Sequence, residues 1–118
     1  SAGVAIVVAL VSAYTRIPVR QDVAITGEIS LHGNVLAVGG IREKLLAAER
    51  QNIQEVLVPQ DNLDEVGDIK KVLRRQIKIT GMTTIHEVLE TVLVRSPFQN
   101  SSKKWLSDTE KCPLKKTA

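Results

Sequence analysis

Short apolar runs alternate with helical patterns in the second half of the chain, and this alternation constrains the fold more than any other feature. Residues 55–58 form an apolar run that ends at Pro59, which predicts a buried strand. Residues 77–80 alternate between apolar and polar side chains, which predicts a second strand. Strands that are separated by a helix pair in parallel, because the crossover returns the chain to the same end of the sheet. The sequence therefore predicts a βαβ unit with at least one parallel pair.

Helical patterns lie between these strands and after them. Residues 61–66 suggest a short helical turn, and Asp68 can cap a further helix. That helix would turn Ile69, Val72 and Leu73 inward, with Lys70, Lys71, Arg74 and Arg75 on its outer side. Thr84 and Glu87 form a capping box that begins a last helix, and Pro97 marks the end of that helix. The apolar face of this last helix would consist of Ile85, Val88, Leu89 and Val92.

The first half of the chain begins with an apolar segment. Residues 1–14 are too long for a typical strand, so they predict a helix that is buried on most sides, with Ser1 at its N-cap. Residues 22–28 and 29–38 have a strand pattern, and a turn at residues 32–34 predicts a hairpin. After Gly39-Gly40, residues 41–51 have a helical period. The predicted order is α-β-β-α-β-α-β-α, an α+β fold with an α/β-like mixed sheet packed against helices.

Composition and charge exclude several classes of function. The single cysteine, Cys112, permits no intrachain disulfide and makes a zinc site unfavourable. Residues 1–98 contain 11 Lys or Arg and 11 Asp or Glu, so the net charge of +3 comes from residues 99–118. We expect those residues to form a polar, basic, disordered tail behind one domain of residues 1–98. Because no basic stripe is interleaved with aromatic residues in that domain, nucleic acid is not an expected partner. The apolar residues 4–13 are also too few for a membrane span.

A serine and a lysine are the candidate catalytic residues. Ser1 precedes a helix whose N–H groups favour negative charge, and the small Ala2 and Gly3 would let a substrate carbonyl approach an oxyanion hole. Lys44 lies at the edge of the Ile41–Leu45–Ala48 stripe, about 60° from its first residue at 100° per residue. Desolvation at such an edge lowers a lysine pKa, and a lysine can replace histidine as the base for a serine. Position alone favours the simpler interpretations, a helix cap at Ser1 and a solvated lysine at position 44.

The order and spacing of several motifs resemble the proteolytic domain of the Lon family of ATP-dependent serine proteases. The resemblance runs from Ser1 to about Leu93 and rests on five segments. They are residues 1–3 (SAG), 18–20 (PVR), 24–29 (AITGEI), 39–48 (GGIREKLLAA), and Val58-Pro59 followed by Asn62. The resemblance implies a catalytic Ser1, a general base Lys44 and a Thr26 that hydrogen-bonds the lysine amine. It also implies a fold similar to domain 2 of ribosomal protein S5.

The resemblance further implies the setting in which such a site works. Substrates would be unfolded or damaged proteins, delivered by an AAA+ module that binds ATP and Mg²⁺, in a hexameric ring. The location would be the cytoplasm, or an organelle matrix in a eukaryote. The chain does not begin with Met and contains neither that module nor the segments that precede the serine in the family. We therefore expect a fragment with little activity by itself, and no cofactor or metal within it.

Two other interpretations remain open. The first is a non-catalytic Lon-like assembly domain, of the kind attached to some DNA-repair ATPases, although such domains are expected to lack the serine and the lysine. The second is an N-terminal nucleophile hydrolase, in which the free amine of Ser1 would act as its own base. His32 and His86 are isolated in the sequence, and a catalytic triad that includes either one is not recognisable.

Overall fold

The structure, a computed structural model, describes residues 2–98 of the 118-residue chain. Four α-helices, five strands and one short 3-10 helix (Gln60–Asn62) occur in this part of the chain. The helices are α1 (Gly3–Thr15), α2 (Ile41–Arg50), α3 (Leu63–Lys70) and α4 (Ile85–Val92). The strands are β1 (Val23–Ile25), β2 (Glu28–Ile29), β3 (Val35–Leu36), β4 (Glu55–Pro59) and β5 (Lys78–Met82). Ser1 and residues 99–118, where a tail was predicted, lie outside the described residues.

The strands form two separate sheets. In the first, β4 lies between β1 and β5, and both pairings are parallel, with Val56 opposite Ala24 on one side and Ile79 on the other. The second is the antiparallel hairpin of β2 and β3, in which Ile29 faces Val35. The predicted parallel pair and the predicted hairpin are therefore confirmed, as is the α+β class. The strands expected in a mixed sheet instead form one parallel and one antiparallel sheet, because the chain leaves the first sheet after Ile25 and pairs with itself.

Helices cover both faces of the parallel sheet. Helices α1 and α4 contact each other on one face, and α2 and α3 contact each other on the opposite face. Successive side chains of a strand point to opposite faces, so Leu57 enters the core beneath α1 and α4, whereas Val56 and Val58 enter the core beneath α2 and α3. Strand β4 is buried along its whole length, as its apolar run predicts.

Helix α1 is less buried than its sequence suggests. Only Val4 and Val8 are fully buried, whereas Ile6, Leu10 and Tyr14 are 57%, 64% and 92% exposed. The prediction of burial on most sides is therefore wrong for the described residues, because they pack against one side of the helix only. The N-cap position is also one residue later than expected: it is occupied by Ala2, which makes no side-chain capping bond.

The third helix was predicted with the wrong start. Helix α3 passes through Asp68 without a break and ends at Lys70, so Asp68 caps nothing. Val66 and Ile69 are buried one turn apart, and their shared apolar contact favours a continuous helix over a new start at Asp68. Val72, expected inside, is half exposed because it follows the end of the helix.

The start of the last helix confirms the predicted cap, but α4 ends at Val92 and not near Pro97, because Leu93 already has an extended backbone. The Thr84 Oγ1 accepts a hydrogen bond from the Glu87 N–H at 3.3 Å, and α4 buries Val88, Leu89 and Val92. The reciprocal bond differs from a standard capping box, because the Glu87 carboxylate accepts from the Thr83 N–H at 3.0 Å. No helix within residues 2–98 has both the length and the apolar character that a membrane crossing needs.

Candidate active site

Lys44 is positioned by the glycine pair that begins α2. Gly40 is the N-cap and has φ 72°, a left-handed conformation that glycine adopts without a steric cost. The Lys44 N–H donates to the Gly40 carbonyl at 3.2 Å and thereby closes the first turn of the helix. The half-buried Lys44 side chain then folds back, and its Nζ donates to the Gly39 carbonyl at 3.0 Å.

Asn62 holds the loop that precedes these glycines. Its side chain is buried and accepts from the Val38 N–H at 2.9 Å, while its Nδ2 donates to the Val38 carbonyl, also at 2.9 Å. The same Nδ2 donates to the Glu65 carboxylate at 3.0 Å. Asn62 therefore fixes the backbone one residue before Gly39, the residue whose carbonyl holds the lysine amine.

The start of α1 is seated beside the end of β1. The Val4 N–H donates to the Gly27 carbonyl at 3.2 Å, and the Thr26 N–H donates to the Leu57 carbonyl at 3.0 Å. Glycine is required at position 27, because a Cβ there would lie 3.0 Å from methyl groups of both Val35 and Val4. This close approach brings the first turn of α1 next to Thr26.

An open cavity of about 590 Å³ lies between α1, the free edge of β1 and α2. Lys44, Thr26 and Ala2 all line it, so three of the candidate site residues meet at one place. The residues that line the cavity from α2 and its C-cap are spaced three, four and seven positions after Lys44, which puts them on one helix face. The lining residues are Ala2, Ala5, Ala24, Ile25, Thr26, Lys44, Ala47, Ala48, Gln51, Ile53 and Val56.

The polar groups in this apolar cavity are few and specifically placed. Thr26 is only 6% exposed, and its Oγ1 has no hydrogen-bond partner among the described residues. Buried hydroxyl groups normally have a partner, because an unpaired one costs free energy. Lys44 lines the same cavity, but its Nζ donates to the Gly39 carbonyl and is not hydrogen-bonded to the Thr26 hydroxyl.

The remaining predicted residues have different placements. Ser1 is not among the described residues, whereas Ala2 is the N-cap of α1 and Gly3 is its first residue. Gly3 packs so closely on the hairpin that a Cβ would collide with the Glu28 carboxylate. Neither histidine lines the cavity, and residues 2–98 contain no group of three or more side chains that could hold a metal ion.

Two features of the site were missed from the sequence. The Gly39 carbonyl was not expected to accept from the lysine, and Asn62 appeared only as a motif residue without a role. The helical spacing of Lys44, Ala47, Ala48 and Gln51 was the available signal for the cavity wall. The contacts of Asn62 with Val38 had no local signal, because they join residues 24 positions apart.

Comparison with known proteins gives consistent matches over most of the chain. Residues 1–95 match the family model of the Lon protease (S16) C-terminal proteolytic domain. The chain is 46% identical to the Lon protease of Brucella suis over 97 residues and 48% identical to Lon protease 2 of Syntrophobacter fumaroxidans over 102 residues. It is 50% identical to the Lon protease of Aquifex aeolicus over 98 residues. These alignments cover 82%, 86% and 82% of this chain, but only 12%, 13% and 12% of the three relatives.

Proposed function

The chain belongs to the Lon protease (S16) family, and from this premise we propose that Ser1 and Lys44 form the catalytic pair of its serine peptidase site. In the first step the Ser1 Oγ attacks the carbonyl carbon of a peptide bond while Lys44 takes the hydroxyl proton. The tetrahedral intermediate then collapses, Lys44 returns the proton to the leaving amine, and an acyl-enzyme remains. A water molecule hydrolyses this ester by the same proton path and restores Ser1.

The other site residues have supporting roles in this proposal. Thr26 holds the lysine amine through its hydroxyl oxygen, and the Gly39 carbonyl accepts a second N–H. With both N–H groups occupied, the one lone pair of a neutral amine remains to accept the serine proton. The N–H groups of Ala2 and Gly3, at the start of α1, would stabilise the oxyanion.

The observation that carries the proposal is the shared cavity. Lys44, Thr26 and Ala2 come from three different elements or their flanks and line the same space, and Ser1 is covalently bonded to Ala2. The remaining lining is mainly alanine, isoleucine and valine, which suits an apolar substrate side chain. This arrangement supports a base that lies close to the start of α1.

The activity of a whole protein that contains this chain is also part of the proposal. We propose ATP-dependent degradation of unfolded or damaged proteins by a hexameric ring in the cytoplasm, or in an organelle matrix. ATP and Mg²⁺ would bind to a separate AAA+ module. We further propose that residues 1–98 form the proteolytic domain, that residues 99–118 form a separate basic tail, and that the isolated chain has little activity.

The test is to replace Lys44 in the full-length gene product. Lys44→Met keeps the aliphatic stem but removes the base, so ATP-dependent cleavage of an unfolded protein substrate should fall by about 1,000-fold or more. Arg50→Ala, an exposed change on the same helix, is the matched control and should retain activity. Size-exclusion chromatography checks that both variants assemble equally.

Either of two results would contradict this proposal. Proteolysis that survives Lys44→Met would exclude the lysine as base and favour the terminal amine of an N-terminal nucleophile hydrolase. An unmodified full-length protein that assembles but never cleaves substrate would instead support the non-catalytic assembly domain.

A further inference from the structure

A basic segment lies outside the candidate active site. Residues 70–78 contain Lys70, Lys71, Arg74, Arg75 and Lys78 and no acidic residue. These five are almost half of the 11 cationic side chains in residues 1–98, a stretch that is neutral as a whole. The concentration of positive charge is therefore local to the end of α3 and the start of β5.

Four of these cations surround one cavity, which we call the basic groove. It has a volume of about 680 Å³ and is lined by Gln54, Lys70, Leu73, Arg74, Arg75, Gln76, Ile77 and Lys78. None of these residues lines the candidate active site, so the two cavities are distinct. The volume is within the range of pockets that bind small molecules.

Hydrogen bonds to α2 and to the residue before β4 flank the backbone of the basic groove. The Glu49 carboxylate on α2 accepts hydrogen bonds from the backbone N–H groups of Arg74 and Arg75, the latter at 2.7 Å. The Lys78 N–H donates to the Gln54 carbonyl at 3.0 Å, so two further lining residues are joined through their backbones. The two arginine side chains therefore extend from a loop whose backbone is already fixed by hydrogen bonds.

The charge in the basic groove is only partly neutralised. Lys78 pairs with Glu55 at 3.5 Å, but Glu55 is also paired with Arg20 at 3.0 Å. Arg75 donates to the side chain of Asn52, which is uncharged. Within residues 2–98, neither Lys70 nor Arg74 makes an ion pair, although both line the cavity.

We propose that the basic groove binds a small ligand with two or more phosphate groups. Arginine presents paired donors that match phosphate oxygens, and four cations at one cavity favour more than one anionic group. The groove is bounded in volume and has no aromatic lining, which disfavours a nucleic acid strand with stacked bases. The partly exposed Leu73 side chain provides an apolar surface for an organic portion of the ligand.

Inorganic pyrophosphate is the probe for the first measurement, by isothermal titration calorimetry on the full chain at low ionic strength. Saturable binding of one pyrophosphate should weaken as salt is added, because exposed charges are screened. Arg74→Gln should weaken the affinity about tenfold, the effect of losing a hydrogen bond to a charged group. Lys71→Gln is the matched control: it is in the same segment but outside the lining, paired with Asp68, and should change the affinity less than twofold.

Binding of other anions shows whether the groove prefers a phosphate ester, any multivalent anion or a nucleic acid. Binding of ADP at least as tight as that of pyrophosphate, with the same loss in Arg74→Gln, would support a phosphate ester as the natural ligand class. The proposal would be overturned by absence of saturable pyrophosphate binding, by citrate binding as tightly as pyrophosphate, or by an equal loss in Lys71→Gln. Tighter binding of a single-stranded oligonucleotide would also overturn it in favour of a nucleic acid partner. Circular dichroism confirms that both surface variants remain folded.

Discussion

The Thr26 hydroxyl is buried at a position where a methyl group would suit the surroundings better. Most of the residues around it in the cavity are apolar, and its Oγ1 has no hydrogen-bond partner among the described residues. A buried unpaired hydroxyl lowers the stability of the folded state, so folding alone does not explain a threonine here. The proposed role of this hydroxyl, to accept a hydrogen bond from the Lys44 amine, would explain it.

Thr26→Val separates the effect of the hydroxyl on stability from its proposed effect on catalysis. The change preserves the shape of the side chain and removes the unpaired hydroxyl, so the free energy of unfolding should stay the same or rise by about 1 kcal/mol. Peptidase activity of the full-length gene product should nevertheless fall by about tenfold or more, since the amine loses one acceptor. Chemical denaturation and peptide cleavage measure the two effects. Thr26→Ser keeps the hydroxyl and serves as the control. A valine variant that is destabilised and fully active would contradict the account.

At the scale of single elements, local patterns in the sequence were sufficient for some helices and insufficient for others. Helix α2 was predicted well because Ile41, Leu45 and Ala48 repeat with its period and Gly40 marks its start. Helix α3 was predicted poorly because Asp68 is a good cap residue that the packing of Val66 and Ile69 overrides. Thr26 and Gly27 separate the two sheets, and Gly27 contacts α1 there. A local sequence pattern cannot reveal these contacts, because they join residues that are far apart in the chain.

Alanine substitutions at two glycines test whether local sequence or tertiary contacts determine the conformation at each position. Gly27→Ala should lower the free energy of unfolding by about 1–3 kcal/mol, because the new methyl group overpacks Val4 and Val35. Gly67→Ala lies on the exposed side of α3 with no atom near the added Cβ, and should raise stability by about 0.5–1 kcal/mol. Urea denaturation of both variants gives the comparison. Equal effects of the same sign would show that the close approach at Gly27 does not constrain the fold.

The parallel sheet also carries a buried charge network at one end. Glu55 is only 4% exposed and accepts from Thr80 Oγ1 at 2.7 Å and from Arg20 Nη1 at 3.0 Å, with Lys78 nearby. Burial acts to raise the pKa of Glu55, but these hydrogen bonds and the two cations hold the pKa below its ordinary value. The network therefore joins β4 to β5 and to the segment before β1.

This network predicts the pH dependence of stability. Because the pKa of Glu55 is lower in the folded state than its ordinary 4.5, its contribution is complete above about that pH and is lost as the pH falls through the folded-state pKa. Glu55→Gln should lower the free energy of unfolding by about 2 kcal/mol at pH 7 and flatten its decline below pH 5. Denaturation from pH 7 to pH 3 measures both effects, with the exposed Glu43→Gln as control. An unchanged acid slope in Glu55→Gln would contradict the assignment.

At the scale of the whole molecule, the candidate site exists only because distant segments converge. The end of β1, the start of α1 and the face of α2 meet at the free edge of a sheet whose centre, β4, comes later in the chain. Motif order in the sequence was enough to propose Ser1, Thr26 and Lys44. The contacts that hold them, from Gly27 to Val4 and from Asn62 to Val38, required the folded structure. The same is true of the basic groove, whose charges are visible in the sequence but whose cavity is not.

The most direct test of the Ser1–Lys44 site is to trap the acyl-enzyme or a mimic of it. The full-length gene product would be treated with a serine-reactive fluorophosphonate, digested and examined by mass spectrometry. If Lys44 activates Ser1, one adduct should form on Ser1 in the unmodified protein and be lost in Lys44→Met, with the Arg50→Ala control still labelled. An adduct on a different residue, or equal labelling of Ser1 without the lysine, would contradict the central claim.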